Sequence, residues 1–304
     1  MALKLRDLSK RELEEFFSSF DTVLSDVDGV LFADILHIID GAKESIKLLR
    51  DLKKKLYFIS NNSTAPLELY LSRLKSLETK KEEVVRPTES IAWYLKKINF
   101  TKELYVIGVK ALRDALKQEG LNVVYDEVTP VEETIYGAIN IAENLNPNVG
   151  AVVIDFSLNI TFLQIQRCVE YIRQNNAIFL VGAWDTVAPL GKSLLIGPKL
   201  FAGIIEQTTG VSPIVLSKPG EPFQELLKEN IGPFDEKRVL FIGDSVETDM
   251  IFATNCGFKK LLVLTGSTSE KDLKNWKHDD CFKPNYVADS IKDLFTAASK
   301  IGIV

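Results

Sequence analysis

The stretch Thr22-Val-Leu-Ser-Asp26-Val-Asp28-Gly29-Val30 decides how the chain is read. A short apolar strand ends in two carboxylates and then turns on a glycine, so Asp26 and Asp28 are predicted to sit at the carboxyl end of that strand. One carboxylate placed there can attack an acyl or phosphoryl centre while the other carries a proton. Two other readings compete for the same residues. A calcium loop also uses Asp-x-Asp-Gly, but it needs further oxygen ligands and a distal Glu and sits between helices. An ordinary strand-to-turn junction uses Asp and Gly as turn residues.

The chain of 304 residues is longer than one typical domain and long enough to bury a large core. A hydrophobic share of 46% with 26% charged residues describes a globular protein rather than a disordered or membrane-spanning one. The net charge of -5 argues against nucleic-acid binding, which relies on basic surface to neutralise phosphates. Cys168, Cys256 and Cys281 form no Cys-x-x-Cys pair, so neither a disulfide framework nor a zinc site is expected, and reduced thiols suit a cytoplasmic protein. The basic N-terminus, with Lys4, Arg6, Lys10 and Arg11, lacks the apolar run of a signal peptide. It reads as a capped helix, with Ser9 and Glu12 in capping-box spacing and Leu13, Phe16 and Phe17 on one face. No apolar stretch reaches the ~20 residues that cross a bilayer, so no membrane partner is expected.

Strand-length apolar runs alternate with segments of helical period, which predicts a parallel sheet with helices on both faces. Strands are expected at 22–26, 55–60, 213–218, 238–244 and 260–265, and a second set at 103–108, 121–125, 151–155 and 177–181. Helices are expected at 110–119, 131–145 and 160–175. The division that follows is a core domain in two parts, 1–100 and 213–304, with a second α/β domain at 101–212 inserted into it. The run Lys53-Lys-Lys55 reads as a solvated helix end facing the last carbonyls.

Three further runs end in polar groups. Lys55-Leu-Tyr-Phe-Ile leads into Ser60-Asn61-Asn62-Ser63-Thr64 with Pro66 beyond, where a hydroxyl and free helix amides can meet an anion, or simply cap the helix. Pro213-Ile-Val-Leu-Ser leads into Lys218-Pro219, a lysine placed to neutralise phosphate or to face solvent. Arg238-Val-Leu-Phe-Ile-Gly243 leads into Asp244-Ser-Val-Glu247-Thr248-Asp249, oxygen ligands for a hard cation such as magnesium or acids answering a helix dipole. Ligands of open α/β sheets bind at the carboxyl ends of strands, so four such ends together point to a catalytic site.

At these residues the chain resembles the haloacid dehalogenase superfamily of phosphatases, in particular its 4-nitrophenyl phosphatase-like branch, which includes pyridoxal phosphatase and phosphoglycolate phosphatase. The resemblance runs through Phe58-Ile-Ser-Asn-Asn-Ser, Lys218-Pro219, Ile242-Gly-Asp-Ser-Val-Glu-Thr-Asp249, Leu262-Val-Leu-Thr-Gly266 and Pro284-Asn-Tyr-Val-Ala-Asp-Ser-Ile291. It implies a Rossmann-like doubly wound parallel-sheet core with an inserted α/β cap. It implies a magnesium-dependent phosphomonoesterase for a small phosphorylated metabolite, and a homodimer formed through the cap. Asp26 would be the nucleophile that becomes aspartyl-phosphate and Asp28 the acid and base. Ser60 and Asn61 would hold the phosphoryl group, with Lys218 offsetting charge. Magnesium would be bound by Asp26, the Asp28 main-chain carbonyl and Asp244, with Asp249 in support through water.

The chain departs from that pattern around the site. Ser245 stands where many relatives have Arg; Gly-Phe-Asp reads Asp155-Phe156-Ser157; Thr-Asn-x-Asp reads Gly182-Ala183-Trp184-Asp185; and Gly-Thr-Gly reads Gly197-Pro198-Lys199. Asp155, Trp184 and Asp185 are therefore the candidates for substrate selection in the cap, Trp184 either stacking on an aromatic leaving group or packing within the cap. Phosphate-loop, dinucleotide and nucleophile-elbow signatures are missing. A weakly active phosphate-binding or regulatory protein on the same fold is the alternative reading.

Overall fold

Apolar runs with no polar alternation must be buried on both faces, which is the situation of a central parallel strand. Val239–Gly243 and Val149–Ile154 are such runs, buried at every residue, and each stands at the middle of its sheet. The computed structural model describes residues 2–127, 134–137, 139, 144–190 and 193–304, with backbone only at 189 and 190. They form two compact units, one of Met1–Ser60, Tyr70–Val85 and Leu227–Val304, the other of Asn61–Leu69 and Arg86–Leu226. The insert expected at 101–212 falls within the second unit.

In the first unit seven strands lie parallel in the order Leu3–Lys4, Tyr286–Ala288, Lys259–Val263, Val239–Gly243, Thr22–Ser25, Lys55–Ile59, Val84–Val85. Alternate residues serve opposite faces. Val23, Leu240, Ile242, Leu261 and Val263 pack with helices Lys10–Ser18, Ala42–Asp51 and Lys292–Lys300, while Leu262 and Val287 pack with Val246 and Met250 on the other side. The sheet is thus covered twice, as the doubly wound reading expects. From Thr22–Ser25 the chain builds outward to one edge and later returns to add Val239–Gly243 on the other side, so the order reverses between these two strands. A crevice opens at such a reversal, beyond the carboxyl ends of the strands.

The second unit has its own parallel sheet, ordered Ile214–Val215, Ile178–Val181, Val149–Ile154, Glu103–Ile107, Asn122–Val124. Helices Pro87–Lys97 and Lys110–Gln118 cover the face bearing Leu104, Val106, Ala151 and Val153; Phe162–Asn175 and Pro198–Thr209 cover Tyr105, Val152, Ile154 and Phe179. An antiparallel hairpin, Val187–Leu190 with Ser193–Ile196, is an addition the sequence pattern did not suggest. The helix expected at 131–145 lies for the most part outside the described residues.

Local signals act as their chemistry requires. Ser9 and Glu12 form the expected capping box, with the Ser9 amide donating to the Glu12 carboxylate at 2.7 Å. Lys54 does more than end its own helix: its ammonium donates to the carbonyls of Phe17 and Phe20 at 2.8 and 2.7 Å, so it satisfies the carboxyl end of helix Lys10–Ser18. Among the described residues no helix is long and apolar enough to cross a membrane.

Candidate active site

Thr22–Ser25 pairs with Val239–Gly243 so that Ser25 faces Ile242, and the Asp26 amide continues the ladder onto the Ile242 carbonyl at 2.8 Å. Asp26 and Asp244 are therefore the first residues past two adjacent strands, at the reversal of strand order. Beyond Asp244, a π-type turn over Val246–Met250 brings Asp249 back, where its Oδ2 accepts the amides of Asp244 and Ser245 at 3.0 and 3.1 Å. One carboxylate oxygen each from Asp26, Asp244 and Asp249 lies within 4.8 Å of the other two. Asp249, expected in support through water, thus stands in the same cluster.

Three carboxylates this close and this buried repel one another, and a hard divalent cation with oxygen preference is what offsets that repulsion. The surroundings fit such an ion. Gly29 turns at φ +83°, and a Cβ there would stand 2.6 Å from the Asp244 carboxylate carbon; a Cβ at Gly266 would stand 2.0 Å from Asp244 Oδ2. Only glycine lets the backbone approach Asp244 from both sides. The Ser267 amide then donates to Asp244 Oδ2 at 2.5 Å, and the Thr265 hydroxyl donates to the Gly29 carbonyl at 2.6 Å, tying the two glycine turns together. Asp26, Asp244 and Asp249 are the side chains that would hold the ion.

Asp28 is placed differently. Its side chain is 43% exposed, so it can exchange protons with solvent or substrate, and its carboxylate meets the Arg73 guanidinium at 2.7 Å. Arg73 also donates to the Asp34 carbonyl at 2.7 Å and stacks on the Phe32 ring at 4.2 Å, so the cation is fixed from three sides. Tyr70, one helical turn before Arg73, is buried beside the same groups: burial pushes its phenol well up, the Asp28 charge adds to this, and a hydrogen bond with Ser60 opposes it. Ser60, buried after Lys55–Ile59, lies beside Tyr70. Sequence reading missed Tyr70 and Arg73, whose spacing of three on a helix is ordinary by itself.

The remaining expected residues belong to the second unit. Asn61 and Lys218 clasp each other through the main chain: the Lys218 amide donates to Asn61 Oδ1 at 3.1 Å, and Asn61 Nδ2 donates to the Lys218 carbonyl at 3.0 Å and to Asp185 at 3.3 Å. Lys218, 1% exposed, is not the solvated lysine of the alternative reading. Trp184 is half-buried against the core of this unit with the Lys199 ammonium 5.5 Å from its ring centre. Ser245 accepts the Thr248 amide at 3.3 Å and so caps the turn that delivers Asp249.

Residues 23–122 match a family model described as haloacid dehalogenase-like hydrolase, and residues 215–294 match a second, related hydrolase model. The chain is 31% identical over 304 residues to the 4-nitrophenylphosphatase of Schizosaccharomyces pombe, covering 98% of this chain and 100% of that one. It belongs to the haloacid dehalogenase-like hydrolases. Within them it falls in the 4-nitrophenyl phosphatase-like branch, and it is a phosphoric monoester hydrolase, as its motifs led us to expect. Phosphoglycolate phosphatase 2 of Arabidopsis thaliana is 28% identical, over 94% of this chain and 96% of that one. The structure of p-nitrophenyl phosphatase from Archaeoglobus fulgidus superposes with a TM-score of 0.76 at 25% identity, covering 92% and 99% of the two chains.

Proposed function

We propose that this hydrolase is a magnesium-dependent phosphomonoesterase that cleaves a small phosphorylated metabolite through an aspartyl-phosphate. The observation that supports this most is the meeting of Asp26, Asp244 and Asp249 at the reversal of strand order, with Asp28 exposed beside them. A bound magnesium ion would neutralise charge on the phosphoryl oxygens and on the attacking carboxylate.

In the proposed reaction an Asp26 oxygen attacks phosphorus in line with the leaving oxygen, and the ester bond breaks as Asp28 delivers its proton to that oxygen. Asp28, now ionised, takes a proton from water; the water oxygen attacks phosphorus, the Asp26–phosphorus bond breaks, and inorganic phosphate leaves. Ser60, Asn61 and Lys218 are assigned to the non-bridging oxygens, where an ammonium and neutral donors stabilise a loose, highly charged transition state. The inserted domain at 101–212 is assigned the selection of the leaving group, with pyridoxal phosphate and phosphoglycolate as the first metabolites to try. A homodimer through this insert completes the proposal, and solution scattering that shows only monomer would remove it.

Release of phosphate from 4-nitrophenyl phosphate tests the reading. Release that needs magnesium and vanishes in Asp26→Asn is the expected result; no release with any divalent metal would overturn it in favour of a phosphate-binding protein with little turnover.

A further inference from the structure

Asp155 is buried, acidic and left unused by the reaction proposed above. It follows strand Val149–Ile154, and its place is set by ladder bonds on both sides: its amide donates to the Ile107 carbonyl, and the Gly182 amide to the Ile154 carbonyl, each at 2.9 Å. The side chain is 1% exposed. Oδ1 accepts the Ser63 hydroxyl in a short hydrogen bond and the Phe156 amide at 2.5 Å. Oδ2 lies against Gly182, where a Cβ would stand 1.9 Å from it. A side chain at 182 would force the Asp155 carboxylate to move.

Positions 155 and 182 meet in one contact on adjacent strand ends. The hydroxyl that Asp155 holds belongs to Ser63, two residues past Asn61, and Asn61 is the residue clasped to the Lys218 main chain.

We propose that Asp155 is a positioning residue for phosphate binding: wedged against Gly182, it clamps Ser63 and thereby holds the turn that sets Asn61 against Lys218. The proposal rests on the phosphomonoesterase reading for its kinetic consequence, though not for the clamp itself. Burial pushes the Asp155 carboxyl up to about 7, against the lowering effect of Ser63 and of the Phe156 and Ala183 amides, and the charge of Asp185 beyond the next strand end pushes the same way as burial. Gly108, which packs on Asp155 from strand end Glu103–Ile107, brings no charge. The clamp therefore changes its proton content near neutral pH.

The test is a set of full-length variants assayed on 4-nitrophenyl phosphate with magnesium. Gly182→Thr alone is expected to lower both thermal midpoint and kcat, and Asp155→Gly with Gly182→Thr to recover most of the midpoint but not kcat, since the hold on Ser63 is gone, a pair non-additive in stability. Ser63→Ala is expected to lower kcat/KM by about tenfold through loss of alignment. Asp155→Asn is expected to keep most activity while removing a step near pH 7 from the wild-type profile. Additive effects at 155 and 182, or unchanged kcat, KM and pH profile in Ser63→Ala and Asp155→Asn, would overturn the proposal. If the wild-type protein releases no phosphate, the phosphomonoesterase reading fails by itself, and the midpoints of the 155 and 182 variants still decide whether the clamp exists.

Discussion

Two buried aspartates at the ends of central parallel strands, Asp244 in the first unit and Asp155 in the second, show how environment assigns different work to one residue type. Asp244 stands among Asp26 and Asp249, with glycine turns on both sides and amide donors aimed at the carboxylates. Asp155 has a hydroxyl and main-chain amides as its donors and two glycines packed against it, and its carboxyl is pushed up to about 7 by burial. The first arrangement concentrates negative charge for a cation to answer; the second suppresses charge by favouring a proton.

The comparison breaks most decisively at Asp26. Asp26→Asn removes the attacking oxygen and is expected to lower phosphate release by about a thousandfold or more, read by single-turnover kinetics. Next comes the cluster itself: Asp249→Asn is expected to weaken magnesium binding and lower kcat by about a hundredfold, with excess metal recovering part of it. Gly266→Ala drives a Cβ into Asp244 and is expected to weaken metal affinity by about tenfold, measured by metal titration of activity. Arg73→Ala releases Asp28 from its 2.7 Å contact; the expected loss is about tenfold for an alkyl phosphate and less for 4-nitrophenyl phosphate, whose leaving oxygen needs little protonation.

The smallest effect concerns stability. A carboxyl whose folded value is raised from 3.8 to about 7 binds a proton more readily folded than unfolded, so its contribution to stability is present below about pH 4 and is lost as pH rises through 7. Asp155→Asn is expected to flatten that decline in denaturant melts taken from pH 5 to pH 8. An unchanged slope would show that Asp155 is not titrating there.

The sheets were legible because strands buried on both faces read as unbroken apolar runs, as at Val239–Gly243 and Val149–Ile154. Leu3–Lys4, Val84–Val85 and Tyr286–Ala288 were not, since two or three residues carry no period. The run expected at 213–218 pairs only through Ile214 and Val215, because the strand it joins ends at Val181. At the site, the strand-end acids announced themselves through local order, Asp-x-Asp-Gly and Gly-Asp followed by a second acid. Arg73 on Asp28 and Asp155 against Gly182 join residues 45 and 27 positions apart, and nothing in either neighbourhood alone signals the partner.

Calorimetric titration of magnesium into the full-length protein tests most directly whether the two buried acid sites differ as described. The wild-type protein and Asp155→Asn are expected to bind magnesium alike, while Asp244→Asn loses binding. Equal binding by wild type and Asp244→Asn, or loss of binding in Asp155→Asn alone, would contradict the assignment of the cation to the Asp26, Asp244 and Asp249 cluster.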